Sequence, residues 1–494
     1  MVELDRYDML DLDTYRRIVL DGEPIAVDEG LLEHVARRRE ALLRHFGTGV
    51  PAYGVTTGLG YLGSETVGED DQPALQRSLL TARASGLGPP LPRDVVRGAM
   101  LLRLVGFLSG FPGVSPALCR FLTDRLNEGW SPIVPSGPYG ASGEIAPLAH
   151  LFQTFVGEGF VELEEERLSA REALDRSDVE AYEPGPKEGL ALVNGSPLAT
   201  ALGVRLGDLG GRLLEQATVA AALAVALVGG TARPFSSRVL SLGADAAEQR
   251  VGQRLLELLS REAHWDDRAQ PPVSFRVVPQ VHGSLRRALD ELTTTIEQRL
   301  RSVTDSPLFL EAQADEPEGL YPSGAFHAID VTLRLEAVAV AAAQVTNLVE
   351  KRLHRLLDAR FSGLPEQLAP RPGQQAGAIS LHKAVVGLAA ENRLLAAPAS
   401  VHALDTSTGQ EDVQAFTFLA AERLGAMLDN LEAALACELV ALRQAAHLRG
   451  GALDAPLLEG AVARLAEIVA PIDEDRTLSP DVERVVALLR AGEL

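Results

Sequence analysis

Residues 329–357 read IDVTLRLEAVAVAAAQVTNLVEKRLHRLL, and this stretch decides what kind of chain this is. No Gly or Pro occurs between Gly324 and Gly363. The segment is rich in Ala, Leu and Val, and its cations Lys351, Arg352 and Arg355 gather at the C-terminal end, where a helix dipole favours them. One helix of this length extends about 40 Å at about 1.5 Å per residue. Working outward, the same reasoning predicts long helices over 198–228, 285–303 and 413–448, the last interrupted only by Gly425. Helices this long and apolar on more than one face belong at the centre of a large bundle.

The bulk properties fit that reading. A chain of 494 residues with 46% hydrophobic residues can bury a sizeable core, as two to four domains or one large helical body. Acidic residues outnumber basic ones by 68 to 46, a net charge of −22, which disfavours nucleic acid and anionic membrane as partners. Cys119 and Cys437 sit in no disulfide or zinc pattern. His150, His282, His327, His354 and His402 are dispersed without ligand spacing, so no metal is expected. The acidic start, Met1 to Arg6, does not resemble a signal peptide. The apolar run 217–232 falls short of the roughly 20 residues a bilayer span needs. A cytoplasmic enzyme is expected, with a small N-terminal region of mixed structure over 1–195 and a long-helix bundle over 196–494.

Gly and Pro concentrate in the loops 47–63, 129–143, 182–197, 269–283 and 369–377. One of these ends in Gly140-Ala141-Ser142-Gly143-Glu144-Ile145-Ala146-Pro147-Leu148-Ala149-His150. Ala-Ser-Gly has the residue types needed for backbone cyclisation. The Gly amide nitrogen can attack the carbonyl two residues back only where the intervening side chains are small and the turn is tight. Loss of that water closes a ring, and loss of the Ser hydroxyl as a second water leaves an exocyclic alkene. The product, a methylidene-imidazolone (MIO), is a strong electrophile made without an added cofactor. Taken alone, the tripeptide also reads as an ordinary turn before a helix.

The rest of the chain adds to it. The eleven-residue string resembles the MIO motif of the aromatic amino acid ammonia-lyase and aminomutase family, in particular its histidine ammonia-lyase-like members. Further similar strings follow in that family's order: Tyr53-Gly54-Val55-Thr56-Thr57-Gly58-Leu59-Gly60, Lys187 through Gly195, Gln270 with Ser274-Phe275-Arg276, Ser302 through Pro307, Gly324-Ala325-Phe326-His327-Ala328, Glu391-Asn392, Pro398 through Val401, and Gln410-Glu411-Asp412. The resemblance covers about residues 25 to 450. It implies a mostly α fold with a long central bundle of the fumarase/aspartase-like type, and a homotetramer whose sites draw loops from three subunits. It implies elimination of ammonia from an α-amino acid, or its migration to the β-carbon. An aspartase-like enzyme without MIO would instead carry a mobile Ser loop, which is not found.

The resemblance also assigns roles. Ala141, Ser142 and Gly143 form the electrophile, and Tyr53 is the base for the β-proton. A phenol titrates near about 10, so such a base needs donors or positive charge nearby. Arg276 is the clamp for the substrate carboxylate, since a guanidinium matches it bidentately. Asn194 and Gln270 donate to the MIO carbonyl or the substrate. Phe326 packs on either, Gly60 belongs to the binding loop, and Glu411 matches the acidic residue of the histidine enzymes.

Arg83, in Thr81-Ala82-Arg83-Ala84-Ser85-Gly86, stands at the selectivity position, where His or an apolar residue is usual in the family. It suits a polar or anionic substrate side chain, or else it pairs internally with Glu411. Val273 replaces a Tyr, Glu144 an Asp, Pro138 a Ser and Ala325 an Asn. These departures point to a non-standard substrate. Val273 and Ala325 leave open a non-catalytic homologue serving as scaffold or regulatory subunit.

Overall fold

The computed structural model of the chain describes every residue except Ala141, 261–269, Ala403 and Asp454. It is mostly α, as the Ala/Leu-rich runs dictate. The four long helices are Pro197–Leu227, Val278–Leu300, Ile329–Leu356 and Thr417–Arg449. No helix among the described residues is long and apolar enough to cross a membrane.

Two of the helix boundaries differ from those expected. The second long helix begins at Val278, within the stretch read as a loop, and runs through Gly283. That glycine is there for close approach: a Cβ on it would sit 2.8–2.9 Å from the Glu248 backbone of the Ala246–Leu258 helix. The fourth begins at Thr417 rather than at 413, because Phe416 adopts a left-handed φ of 51°. This frees Ala415 and Phe416 to line a cavity. Gly425 does not interrupt the helix that follows.

By its contacts the chain forms two compact units. The first comprises Met1–Arg205, Thr293–Leu333 and Ala399–Ala421, and the second Leu206–Leu292, Arg334–Pro398 and Glu422–Leu494.

In the first unit the helix Arg93–Leu108 is buried almost all round and packs against Leu12–Val19, Glu29–Phe46 and Pro116–Asn127. Three short sheets belong to the same unit. Val2–Leu4 pairs in parallel with Ile25–Val27, in the register Val2 to Ile25. Ser131–Pro132, Phe160–Leu163 and Glu166–Ser169 form an antiparallel set, and Leu308–Leu310 pairs with Gly319–Tyr321. Three short helices, Gln72–Thr81, Ile145–Phe152 and Glu188–Val193, pack on one another and carry the loops that matter below. Their closest approach requires Gly189, where a Cβ would meet the Gln76 carbonyl at 2.1 Å.

The second unit is helix on helix. Its core holds Leu213, Leu223, Leu285, Val345, Val349, Leu431 and Leu435, all at or near zero exposure. Within it Arg352 and Glu438, 0% and 1% exposed at their side chains, form a two-pronged pair with both contacts at 2.8 Å. His282 is fully buried with its Nδ1 3.0 Å from the Thr218 hydroxyl, and burial drives it down to about 3. Asn392 donates to Thr346 and to the Met427 carbonyl and accepts from Asn430, so the Glu391-Asn392 string serves as a core joint.

Candidate active site

The Tyr53 loop is folded by its own backbone. Gly58 donates to Glu65 and Val67 to Thr56, closing a narrow hairpin. A Cβ at Gly58 would lie 2.6 Å from the Leu62 carbonyl, so only glycine fits. The hairpin brings the Gly60 N–H back onto the Tyr53 hydroxyl at 2.7 Å. Tyr53 is 39% exposed, open to solvent on one side and supplied with a backbone donor on the other. Gln76 braces the loop from behind. Its amide nitrogen donates to the Gly54 carbonyl and its carbonyl accepts from Leu190 N–H. Nothing in the sequence singled out Gln76; its signal is complete burial of a polar side chain facing two loops.

The second element is the Ser142 turn. The Ser142 hydroxyl donates to the Val413 carbonyl at 2.7 Å, which ties this turn to the segment two residues past Glu411. A Cβ on Gly143 would come within 3.3 Å of the Phe326 ring and 3.8 Å of the Gly195 carbonyl. Phe326 thus lies against the turn. Tyr139, Glu144, Ala328 and 415–418 complete a narrow cavity around it. Ala141 lies outside the described residues.

Glu144 anchors this turn. Its carboxylate is buried and accepts from Leu198 N–H at 2.7 Å and Ala199 N–H at 2.6 Å, in the first turn of the Pro197–Leu227 helix. Those donors and the dipole favour the anion. Burial opposes them and prevails, pushing the carboxyl up to about 8, with Arg103 and Arg299 the nearest charges. The extra methylene relative to Asp is accommodated by this reach to two amides.

Asn194 ends the Glu188–Val193 helix in extended conformation, and its Nδ2 donates to the Ser306 carbonyl at 2.6 Å. Lys187, fully buried, holds the same 302–307 segment through Asp305 at 2.9 Å, and also donates to the Pro112 carbonyl. Gly195, at φ +139°, has no room for a Cβ beside Arg103 and Thr304.

The third element is Arg83. Gly86, three residues on, donates to His150 Nε2 at 2.7 Å and lies against Tyr139, so the turn is seated beside the Ser142 turn. Burial pulls the Arg83 guanidinium below its ordinary value, and Tyr53 and Glu411 partly restore it as the nearest opposing charges. Among the described residues no carboxylate lies within ion-pair distance of Arg83. Glu411 instead accepts from Thr406 at 2.9 Å and Ser407 at 3.1 Å. Of the two readings of Arg83, the internal pair with Glu411 does not form.

The first unit therefore brings together Tyr53, Gly60, Arg83, Ser142, Gly143, Asn194, Phe326 and Glu411. Gln270 and Arg276 belong to the second unit. Gln270 is exposed; Arg276 ends the short helix Val273–Arg276, half-buried, with its Nε buried and without a partner among the described residues. Val273 is 59% exposed.

Comparison with known proteins places these residues in context. A family model described as aromatic amino acid lyase matches residues 10–467. The histidine ammonia-lyase of Symbiobacterium thermophilum is 34% identical over 479 residues, covering 96% of this chain and 94% of that protein. The solved tyrosine aminomutase of Streptomyces globisporus superposes with a TM-score of 0.91 at 27% identity, over 100% of this chain and 97% of that one. Ergothionase of Treponema denticola, an ergothioneine-degrading enzyme, reaches a TM-score of 0.94 at 23% identity, over 100% of this chain and 99% of that one. The last likeness speaks to fold alone.

Proposed function

The chain belongs to the aromatic amino acid lyase family and is a carbon–nitrogen lyase or 2,3-aminomutase; on that premise we propose that it acts through an MIO formed from Ala141, Ser142 and Gly143, on an amino acid with a polar or anionic side chain. The observation that carries this reading is Arg83, a half-buried guanidinium beside Tyr53 and Glu411 with no carboxylate within ion-pair distance among the described residues. An unpaired buried cation is costly unless a ligand completes it.

The residues fit the implied group. The Gly143 position is tight, with a Cβ coming within 3.3 Å of the Phe326 ring, and the Ser142 hydroxyl is held on one acceptor. When formed, MIO supplies an electrophile that captures the substrate amine and turns it into a leaving group. The remaining work falls to the chain. Tyr53 takes the β-proton, and the Gly60 N–H carries the negative charge on its oxygen. Asn194, fixed by Ser306, donates to the ring carbonyl or the substrate. Phe326 shields that turn from water. Arg83 receives the substrate side chain, and Glu411 limits how much negative charge it accepts. Arg276 binds the substrate carboxylate, with Gln270 beside it, in a homotetramer where loops of several chains meet.

Intact-mass spectrometry tests the central step. Ring formation removes two waters, so the purified chain is expected roughly 36 Da lighter than its sequence mass. An unmodified mass supports the non-catalytic homologue instead. NMR of the product then separates the two activities: an α,β-unsaturated acid means lyase, a β-amino acid means mutase.

A further inference from the structure

The second unit holds a cluster that the reading above does not use. Glu350 and His354 stand one turn apart on the Ile329–Leu356 helix, and therefore on one face. His382 comes from the neighbouring Ile379–Leu395 helix. One donor atom from each of the three lies within 4.8 Å of the other two. His382 Nε2 is 2.8 Å from Glu350 Oε1, and the two imidazoles stack with centroids 4.8 Å apart at 24°.

An ordinary histidine–carboxylate bond accounts for His382. It does not account for a second imidazole stacked on the first with its own nitrogen within 4.8 Å of a Glu350 oxygen and a His382 nitrogen. The division of the carboxylate is also informative. Lys351 Nζ holds Glu350 Oε2 at 2.7 Å, which leaves Oε1 facing the histidines. Glu350 is 7% exposed, whereas His354 is at the surface, so the cluster has a firm base and an open side.

We propose that Glu350, His354 and His382 bind a divalent transition-metal ion of the zinc type and clamp these two helices together. Two imidazole nitrogens and one carboxylate oxygen form a donor set suited to zinc, cobalt, nickel or copper rather than magnesium or calcium. At metal–ligand distances near about 2.1 Å, ligands of a tetrahedral ion lie roughly 3.4 Å apart. Reaching that takes a small opening of the 2.8 Å contact between His382 and Glu350 together with rotation of the exposed His354 ring. Water fills the fourth position on the open side.

The test uses the full-length, tag-free protein after removal of adventitious metal. Calorimetric titration with zinc chloride is expected to show one ion per chain, and zinc to raise the melting temperature. Titration with cobalt(II) is expected to give the visible bands of a four-coordinate ion with nitrogen ligands. His354→Ala and His382→Ala each abolish both signals, while His447→Ala, at a separate surface pair, keeps them. The cobalt spectrum of the unaltered chain needs no variant, so misfolding cannot obscure the answer. Absence of zinc binding, a six-coordinate cobalt spectrum, or undiminished binding in both histidine variants overturns the site.

Discussion

Charge is handled in opposite ways in the two units. In the second, Arg352 and Glu438 close on each other with two contacts in a buried core, each the other's charge partner. In the first, around the Ser142 turn, Arg83 has no ion-paired carboxylate among the described residues, Tyr53 is partly open, and Glu144 is buried on backbone donors. A closed pair fixes a fold. Open charges are retained at a cost in stability and imply that something else completes them. The same region has rigid backing, since Lys187 with Asp305, and Gln76 with Gly54 and Leu190, fix the loops on which those charges ride.

The sharpest way to break the contrast is to remove the reactive centre. Ser142→Ala leaves a turn of the same size but no hydroxyl to lose, so turnover is expected to fall to background, and the mass is expected to lack at least the second of the two water losses, about 18 Da. Tyr53→Phe keeps the ring and removes the base. It is expected to lower kcat by about 10²- to 10⁴-fold while the mass still shows ring formation. Equal losses of mass shift in both variants would remove the distinction between building the site and using it.

The closed pair gives the next effect. Arg352→Met strands the buried Glu438 carboxylate and is expected to cost about 3–5 kcal/mol, read from urea midpoints. The double exchange Arg352→Met with Glu438→Leu is expected to recover most of it, because neither charge is then orphaned. A double variant as unstable as the single one would show that the pair itself supplies stability.

The same comparison explains what could be read beforehand. The helices were legible because uninterrupted Ala, Leu and Val runs have few other ways to bury themselves, and Ile329–Leu356 fell within a residue of its expected end. Local rules failed where tertiary contact decides. Gly283 looks like a loop residue but permits two helices to touch, and 413–416 looks helical but stays outside the helix, with Ala415 and Phe416 lining the cavity. The strings bearing Tyr53, Ser142 and Asn194 were legible as residue types in order. Their connections were not: neither the Ser142–Val413 bond nor the seat of Glu144 on Leu198 and Ala199 has a local signature. Glu350 and His354 were readable as one helical face, but His382 joins them only through packing.

Arg83 tests whether the open charge selects the substrate. A charged hydrogen bond contributes about 1.5–3 kcal/mol, so Arg83→Gln is expected to cut kcat/KM for polar or anionic substrates by about tenfold to a hundredfold. Arg83→His should shift preference within a panel of amino acids toward imidazole or phenol side chains. An unchanged ranking in both variants would remove Arg83 from the selection of substrate.

The smallest expected effect separates the units by pH. Glu144, in the first, is raised from 4.5 to about 8, so the folded chain holds its proton more tightly than the unfolded chain. Its contribution is complete below pH 4.5 and is lost as pH rises toward 8. His282, in the second, is lowered from 6.5 to about 3, so its contribution is complete above pH 6.5 and is lost as pH falls toward 3. Each slope is at most about 1.4 kcal/mol per pH unit. Urea midpoints across this range should therefore decline on both sides, with the Glu144→Gln variant flatter only on the alkaline limb and His282→Gln flatter only on the acid limb. Flattening of the wrong limb by either variant would mean that the group is not the one whose protonation differs on folding. If both hold, the open region and the closed region fail at opposite ends of the pH scale, because one buries an acid that must keep its proton and the other a base that must not gain one.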